Sequence, residues 1–188
     1  MTKDFKKEEL KAPPSGRGLG RALIIQQKMI GDVLTSSILF EALRKKYPNA
    51  ELHYLIYPHT RPVVEHNPHI DRLIEYDKES LKSPLAFLKF AKNLKQVEYD
   101  IVIDVYSKIG SGLLSFLSEA RKRISYRKWY TSFLYTDTFN YREKLETNSG
   151  FAIENRMQLL QAIDKSFPLE LKPKIYLTKE EKQAARER

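Results

Sequence analysis

Two short, unbroken apolar runs set the limits on what this chain can become: Ala22-Leu23-Ile24-Ile25, and the stronger Asp100-Ile101-Val102-Ile103-Asp104-Val105. A strand that is apolar at successive positions, rather than at alternate ones, is covered on both faces. Such strands belong to parallel sheets sandwiched between helices. The residues after the first run agree. Gly31 and Asp32 punctuate the chain, and Val33, Leu34, Ile38, Leu39, Ala42 and Leu43 then recur at helical spacing. Arg44, Lys45 and Lys46 suit the negative end of a helix dipole, and Pro48 stops the segment. Glu51 to Tyr57 predicts the next strand. Strand, helix and strand within about 40 residues form a βαβ unit with parallel strands and a right-handed crossover.

The alternation continues. The pattern predicts a short helix near Arg61 to His66, a strand over Arg72 to Tyr76, a helix over Pro84 to Val97, and the strand at Asp100 to Val105. A helix over Gly112 to Glu119 and a brief strand near Arg123 to Ser125 follow. Residues 126 to 150 show no clear period and are expected to form a long surface loop. A helix over Ala152 to Lys165 and a last strand over Lys174 to Leu177 complete the reading. The fold class is α/β, a Rossmann-like open, mostly parallel sheet with helices on both faces. Three segments are expected: a flexible lead-in over 1–20, the domain over 21–178, and the uncapped, interrupted start of another element over 179–188.

Composition narrows function more than fold. The 188 residues contain no cysteine, which removes disulfides, thiolate nucleophiles and cysteine zinc sites and suits a reducing cytoplasm. No window approaches the ~18 apolar residues of a membrane helix, and the start MTKDFKKEELK lacks a signal peptide's apolar core. Thirty-three Lys and Arg against 24 Asp and Glu leave a net charge of +9. That surplus favours anionic partners: nucleic acid, phosphosugars or an acidic membrane face.

Gly16, Gly18 and Gly20 lack the order and spacing of a dinucleotide fingerprint, since they precede the first strand. The stretch Gln26 to Thr35, QQKMIGDVLT, lies instead at the carboxyl end of the first strand, where ligands of parallel sheets bind. Asp32 there falls in the first turn or cap of the helix and is read either as an ordinary N-cap or as a functional carboxylate. Gly31 is read as a turn glycine needing positive φ or as part of a site, and Lys28 as a phosphate ligand or a solvated cation. Lys108, after the strongest strand, has the same two readings. Arg121, Lys122, Arg123, Arg127, Lys128 and Trp129 form the densest basic and aromatic cluster. Membrane or anion contact fits it, as does a solvated basic loop, while no RNA- or DNA-binding signature favours nucleic acid. His59, His66 and His69 match no zinc spacing, and no metal site is expected.

A resemblance is carried by several motifs in series. These are the Ile30-Gly31-Asp32 turn, the helix ending Ala42-Leu43-Arg44-Lys45-Lys46-Tyr47-Pro48, Ala50-Glu51 opening a strand, Asn67-Pro68-His69-Ile70-Asp71, and Tyr99 to Asp104. Over roughly residues 21 to 165 the chain resembles the family nine glycosyltransferases, the ADP-heptose:lipopolysaccharide heptosyltransferases. Gln26 and Tyr106-Ser107 depart from the family's usual residues. The resemblance implies the N-terminal half of a GT-B architecture, with the acceptor on this half and the donor, ADP-heptose or a similar nucleotide-sugar, mainly on a C-terminal domain this chain lacks. By position it implies Asp32 as general base of an inverting transfer, with Lys28, Gly31 and Lys108 on the acceptor, and no metal or other cofactor. It further implies a lipid-linked glycan acceptor in lipopolysaccharide core assembly, peripheral contact with the cytoplasmic face of the inner membrane, and no turnover by this half alone. The other reading is a non-catalytic basic α/β module that binds RNA or an anionic membrane, with Asp32 only a helix cap.

Overall fold

The computed structural model describes residues 18–79 and 81–186, so most of the expected lead-in, residues 1–17, lies outside the described residues. In chain order the elements are β1 (Arg21–Gln26), α1 (Ile30–Ser36), α2 (Ile38–Lys46), β2 (Glu51–Ile56), a 3-10 segment (Pro58–Val63), β3 (Arg72–Glu75), α3 (Pro84–Lys95) and β4 (Ile101–Asp104). They continue with α4 (Ile109–Leu117), β5 (Lys122–Tyr126), a 3-10 turn (Ser132–Leu134), β6 (Asp137–Phe139), α5 (Phe151–Leu160) and α6 (Lys179–Arg186). The six strands form one sheet in the order β3-β2-β1-β4-β5-β6, every pair parallel. The open α/β sheet expected from the two apolar runs is therefore present.

Both faces of the central strands are covered. Ala22, Ile24 and Ile103 pack on one side with Leu39 and Leu43 of α2 and Met157 and Leu160 of α5. Leu23, Ile25 and Val102 pack on the other with Phe90 and Leu94 of α3 and Leu114 of α4. Each fully buried Leu, Ile or Phe contributes about 1.5–3 kcal/mol relative to exposure, so the continuous runs of β1 and β4 are what hold the two layers together.

The structure corrects several local expectations. The single helix predicted after Asp32 is two, broken at Ser37. The hydroxyls of Thr35, Ser36 and Ser37 each donate to a carbonyl three or four residues back, at 2.6–2.7 Å, and such back-bonding bends helices. The helix near Arg61 is a 3-10 segment set by Pro58 at its start and Pro62 inside it. Residues 126 to 150 are not all loop, because Asp137–Phe139 adds a parallel edge strand too short to show a period. Lys174 to Leu177 form no strand. The segment instead runs over α2, where Lys174 Nζ donates to the Glu41 carboxylate at 3.1 Å and Tyr176 meets the edge of His69. The final helix is capped: Thr178 Oγ1 accepts from Glu181 N and Glu181 Oε2 from Thr178 N, a reciprocal capping box.

At the amino edge of the sheet the core ends in a buried polar band. Asp100 Oδ2 accepts from Gly20 N and Arg21 N, Arg21 Nε donates to Glu51 Oε2 at 2.7 Å, and His53 lies between Glu51 Oε1 and the Tyr99 hydroxyl. Burial holds His53 below its ordinary value of 6.5, overriding the pull of Glu51. The unfolded chain therefore binds more protons than the native state as pH falls through 6.5, and stability present above that pH is lost below it. We expect the unfolding free energy, followed by denaturant titration, to decline on acidification from about pH 6.5, and His53→Gln to flatten that decline. The slope should not vanish, because burial lowers His69 as well.

Packing near the other edge yields a second expectation. A Cβ on Gly112 of α4 would lie 2.8 Å from Leu134 Cδ1 and 2.9 Å from the Tyr135 hydroxyl, both on buried residues. Gly112→Val is expected to cost about 1–3 kcal/mol, read as a lower denaturation midpoint at unchanged slope.

Candidate active site

In a parallel sheet every strand's carboxyl end opens on the same edge, and the chain here reverses its winding between β1 and β4. At that switch point lies a cleft of about 410 Å³. Gln26, Lys28 and Asp32 enter it from β1 and α1, Tyr106 and Lys108 from the loop after β4, Tyr126 and Lys128 from the end of β5, and Tyr141, Asn155 and Arg156 from the last third of the domain.

Asp32 is the third residue of α1, whose cap position is Met29. Asp32 thus lies in the expected first turn and not at the cap itself, and among the described residues its carboxylate accepts only from side chains, Lys28 Nζ at 3.2 Å and Arg156 Nη2 at 2.9 Å, both on Oδ1. Oδ2 is left without a hydrogen bond among the described residues, facing a cleft. Gly31, next to it, is helical with no positive φ, so the turn-glycine reading fails, and a Cβ there would meet open space.

One hydroxyl organises this corner. Ser36 Oγ donates to Asp32 O at 2.7 Å and accepts from Arg156 Nε at 2.9 Å and Gln26 Nε2 at 3.2 Å. With its hydrogen committed to a carbonyl, Ser36 can only accept from Gln26, which fixes the amide's orientation. Gln26 Oε1 is consequently buried with no hydrogen-bond partner among the described residues.

The opposite wall hangs on Asp104, the fully buried last residue of β4. Its Oδ1 accepts from Ser107 N at 2.8 Å and its Oδ2 from the Tyr135 hydroxyl at 2.7 Å. Burial still raises its pKa above the usual carboxylate range. Ser107 adopts a left-handed φ of 54°, and Lys128 Nζ donates to its carbonyl. Burial and the charge of nearby Lys108 lower the Lys128 ammonium from its ordinary value. Tyr126 and Tyr141 stack with centroids 4.3 Å apart, giving the cleft an apolar, ring-shaped surface suited to a sugar face.

Of the residues singled out in the sequence, Lys28, Asp32, Lys108 and Lys128 converge on this cleft. The rest of the basic cluster divides between the two ends of β5. Arg121 pairs with Asp100 at 3.3 Å, Lys122 Nζ donates to Ala162 O, and Arg123 donates to the carbonyls of Leu134 and Ala120, all at the edge away from the cleft. Arg127 and Trp129 lie at the cleft end but do not line it. Among the described residues no group of three His, Asp or Glu side chains is placed to hold a metal.

Arg156 went unnoticed in the sequence, although Glu154-Asn155-Arg156 interrupts an otherwise apolar helix and all three are buried. Glu154 accepts from Glu146 N and Thr147 N, and Asn155 Oδ1 from Arg142 N, so α5 also anchors the loop that carries Tyr141. The resulting cleft sets four cations, Lys28, Lys108, Lys128 and Arg156, around one carboxylate. It can hold an anionic ligand and take a proton from a hydroxyl beside it.

An open 3-2-1-4-5-6 sheet with a cationic cleft and one free carboxylate oxygen at its switch point is an α/β domain whose chemistry suits an anionic, hydroxyl-bearing ligand. Comparison with known proteins makes this specific. The family described as Glycosyltransferase family 9 (heptosyltransferase) matches residues 87–188, and the chain belongs to it. Lipopolysaccharide heptosyltransferase 3 of Escherichia coli is 31% identical over 98 residues, 50% of this chain and 29% of that protein. Among solved structures, the glycosyl transferase family 9 from Veillonella parvula superposes with a TM-score of 0.71 at 24% identity, covering 89% of this chain and 48% of that one. The Escherichia coli heptosyltransferase WaaC with ADP-2-deoxy-2-fluoro heptose gives 0.66 at 17% identity over 81% of this chain and 51% of its own. This chain thus spans about half the length of the solved relatives.

Removing Arg156 leaves Asp32, Ser36 and Ala152 O short of a donor in a largely buried setting. Arg156→Ala is expected to lower stability by about 1–3 kcal/mol, measured by chemical denaturation, with Arg156→Lys recovering only part because one ammonium cannot replace a three-way fork.

Proposed function

We propose that this chain is the acceptor-side half of a heptosyltransferase-like glycosyltransferase, working in lipopolysaccharide core assembly with inversion at the transferred sugar. The observation that carries the reading is the unengaged Oδ2 of Asp32, placed at the switch point of a family 9 domain and ringed by cations. In this mechanism Asp32 takes the proton from an acceptor hydroxyl as that oxygen attacks the anomeric carbon, and the bond to the nucleotide diphosphate breaks on the opposite face. Lys28, Lys108 and Lys128 hold acidic groups of the acceptor, a lipid-linked glycan, and Gly31 lets it approach α1 without a side chain in the way. The Tyr126 and Tyr141 pair supports a sugar ring.

The donor, ADP-heptose or a related nucleotide-sugar, is assigned to a second domain of the full-length protein. The leaving diphosphate needs cations or backbone N–H groups aimed at its developing charge, and those are assigned to that domain. This half alone is therefore expected to bind acceptor without turning it over, and the reaction calls for no metal. Cations at both ends of β5 are assigned to anion contact, Arg127, Lys128 and Trp129 beside the cleft and Arg121, Lys122 and Arg123 remote from it. The setting is the cytoplasmic side of the inner membrane.

In the full-length protein, Asp32→Asn is expected to lower kcat by about 10²–10⁴-fold, the usual worth of a positioned general base, while the fold is retained. Steady-state transfer from an ADP-sugar measures it, and activity near wild type would remove Asp32 from the mechanism.

A further inference from the structure

The carboxyl edge of the sheet carries a row of rings that the chemistry of Asp32 leaves unused. Tyr57 follows β2, Tyr76 follows β3 and Tyr106 lies in the loop after β4, so all three stand just past strand ends on the edge where the cleft opens. The Tyr57 and Tyr76 centroids lie 6.3 Å apart, and Tyr57 stacks on His59 at 5.8 Å with the planes 25° from parallel. Tyr106 is the link, since it lines the cleft and neighbours Tyr57. Strands β2 and β4 flank β1 at two strand spacings, about 10 Å, so the two phenols meet over the end of β1. The row starts at the cleft wall and runs away from it toward β3.

Core packing does not account for these rings. Tyr76 meets Phe90 of α3 edge-on at 5.5 Å, which ties it to the core, but Tyr57 and Tyr106 are only half-buried and His59 is exposed. The surface is nevertheless held in place. Thr60, fully buried, donates to the Tyr57 carbonyl from Oγ1 at 2.8 Å and from its backbone N–H at 3.0 Å. Pro58 and Pro62 restrict the 3-10 segment that carries His59, and Arg61 of that segment donates to Glu75 at the end of β3 at 2.7 Å. Rings ordered before a ligand arrives give up little freedom when it binds.

The kind of ring identifies the ligand. Each of these side chains offers an apolar face and a polar edge, hydroxyl or imidazole. A pyranose has the matching form, with C–H groups on its face and hydroxyls around its rim, whereas an alkyl chain calls for an aliphatic lining. Burial and the neighbouring Tyr106 push the Tyr57 phenol up to about 12, so it keeps its proton near neutral pH and remains a donor. Arg61, the nearest cation along the chain, is already engaged by Glu65 and Glu75, which leaves it little to offer an acidic group. We propose that Tyr57, His59, Tyr76 and Tyr106 form a subsite for a neutral sugar ring. Its place in the acceptor rests on the transferase reading: it holds the ring next to the one whose hydroxyl Asp32 activates, so the acceptor is at least two sugars long.

Saturation-transfer NMR on the full-length protein, with the methyl glycosides of glucose, galactose and mannose as probes, tests the subsite without turnover. The ring C–H signals of at least one glycoside should be enhanced. His59→Ala, on an exposed side chain, and Tyr57→Leu should each remove most of that enhancement with unchanged circular dichroism, while Asp32→Asn should leave it intact. No enhancement with any glycoside, enhancement indifferent to both ring substitutions, or enhancement lost in Asp32→Asn would overturn the proposal. Complete displacement by adenosine would do the same, marking a nucleobase as the stacking partner. In transfer from an ADP-sugar, His59→Ala should raise KM for a glycan acceptor about three- to ten-fold, the worth of one ring contact, and leave kcat within about two-fold. An unchanged KM beside normal turnover would also overturn it. No turnover by the wild type would instead sink the transferase reading, and with it the place of this ring in the acceptor, while the glycosides alone judge the subsite.

Discussion

A carboxylate with no solvent exposure, Asp104, fixes more of this molecule than any other side chain. It ends β4, holds the left-handed turn at Ser107 through one oxygen and the Tyr135 hydroxyl through the other, and so ties the third layer of the chain to the sheet's centre. From Ser107 the geometry passes to Lys128, which donates to that residue's carbonyl, and from Tyr135 to Gly112, which must lack a side chain to let the ring by. The cation wall of the cleft is thus set by a buried acid that does not itself line the cleft. Leaving such a group without its partners costs its full desolvation, so the turn, the tyrosine and the glycine stand or fall together.

The other wall depends on a contact across 124 residues of sequence, Arg156 to Asp32. Parallel sheets place strand ends side by side, but the side chain of a first-turn residue such as Asp32 still has several rotamers to choose among. Ser36 supplies the aim, because a single hydroxyl meets α1, β1 and α5 at once. Binding both cations on Oδ1 leaves Oδ2 presented to the cleft. Four cations against one carboxylate also bias the cleft toward an acidic ligand before any specific contact forms.

What could be read from the sequence follows this division of labour. The unbroken runs of β1 and β4 announce burial on both faces, so the sheet, its parallel sense and the site's edge were legible. Lys28, Asp32 and Lys108 follow from that edge, since each lies just past a strand, whereas Lys128 stands out in the sequence only as part of the basic cluster. Arg156 follows from neither, because it reaches the site from the body of a helix, and only its polarity within an apolar pattern marked it. The break at Ser37 arises from three successive hydroxyls, a side-chain competition that hydrophobic periodicity ignores. β6 is three residues long, shorter than any period. The basic cluster misled for a related reason: adjacency in sequence along a strand means separation in space, and five residues at about 3.3 Å each put Arg121–Arg123 and Lys128 at opposite edges of the sheet.

Helix α4 is inside out, its small residues buried and Ile109, Leu113 and Phe116 exposed, and this follows from the same buried acid. To seat Tyr135 on Asp104, the helix above must approach closely, and only Gly112 flanked by Ser111 and Ser115 allows it. A nine-residue helix that spends its inner face on small residues anchors itself weakly to the core, since Leu114 is its one large, fully buried side chain. Large apolar residues on the outer face add nothing to that anchoring while water covers them. The packing that builds the cleft and the exposed apolar face of α4 are therefore two sides of one constraint: the close approach of a helix to a buried carboxylate.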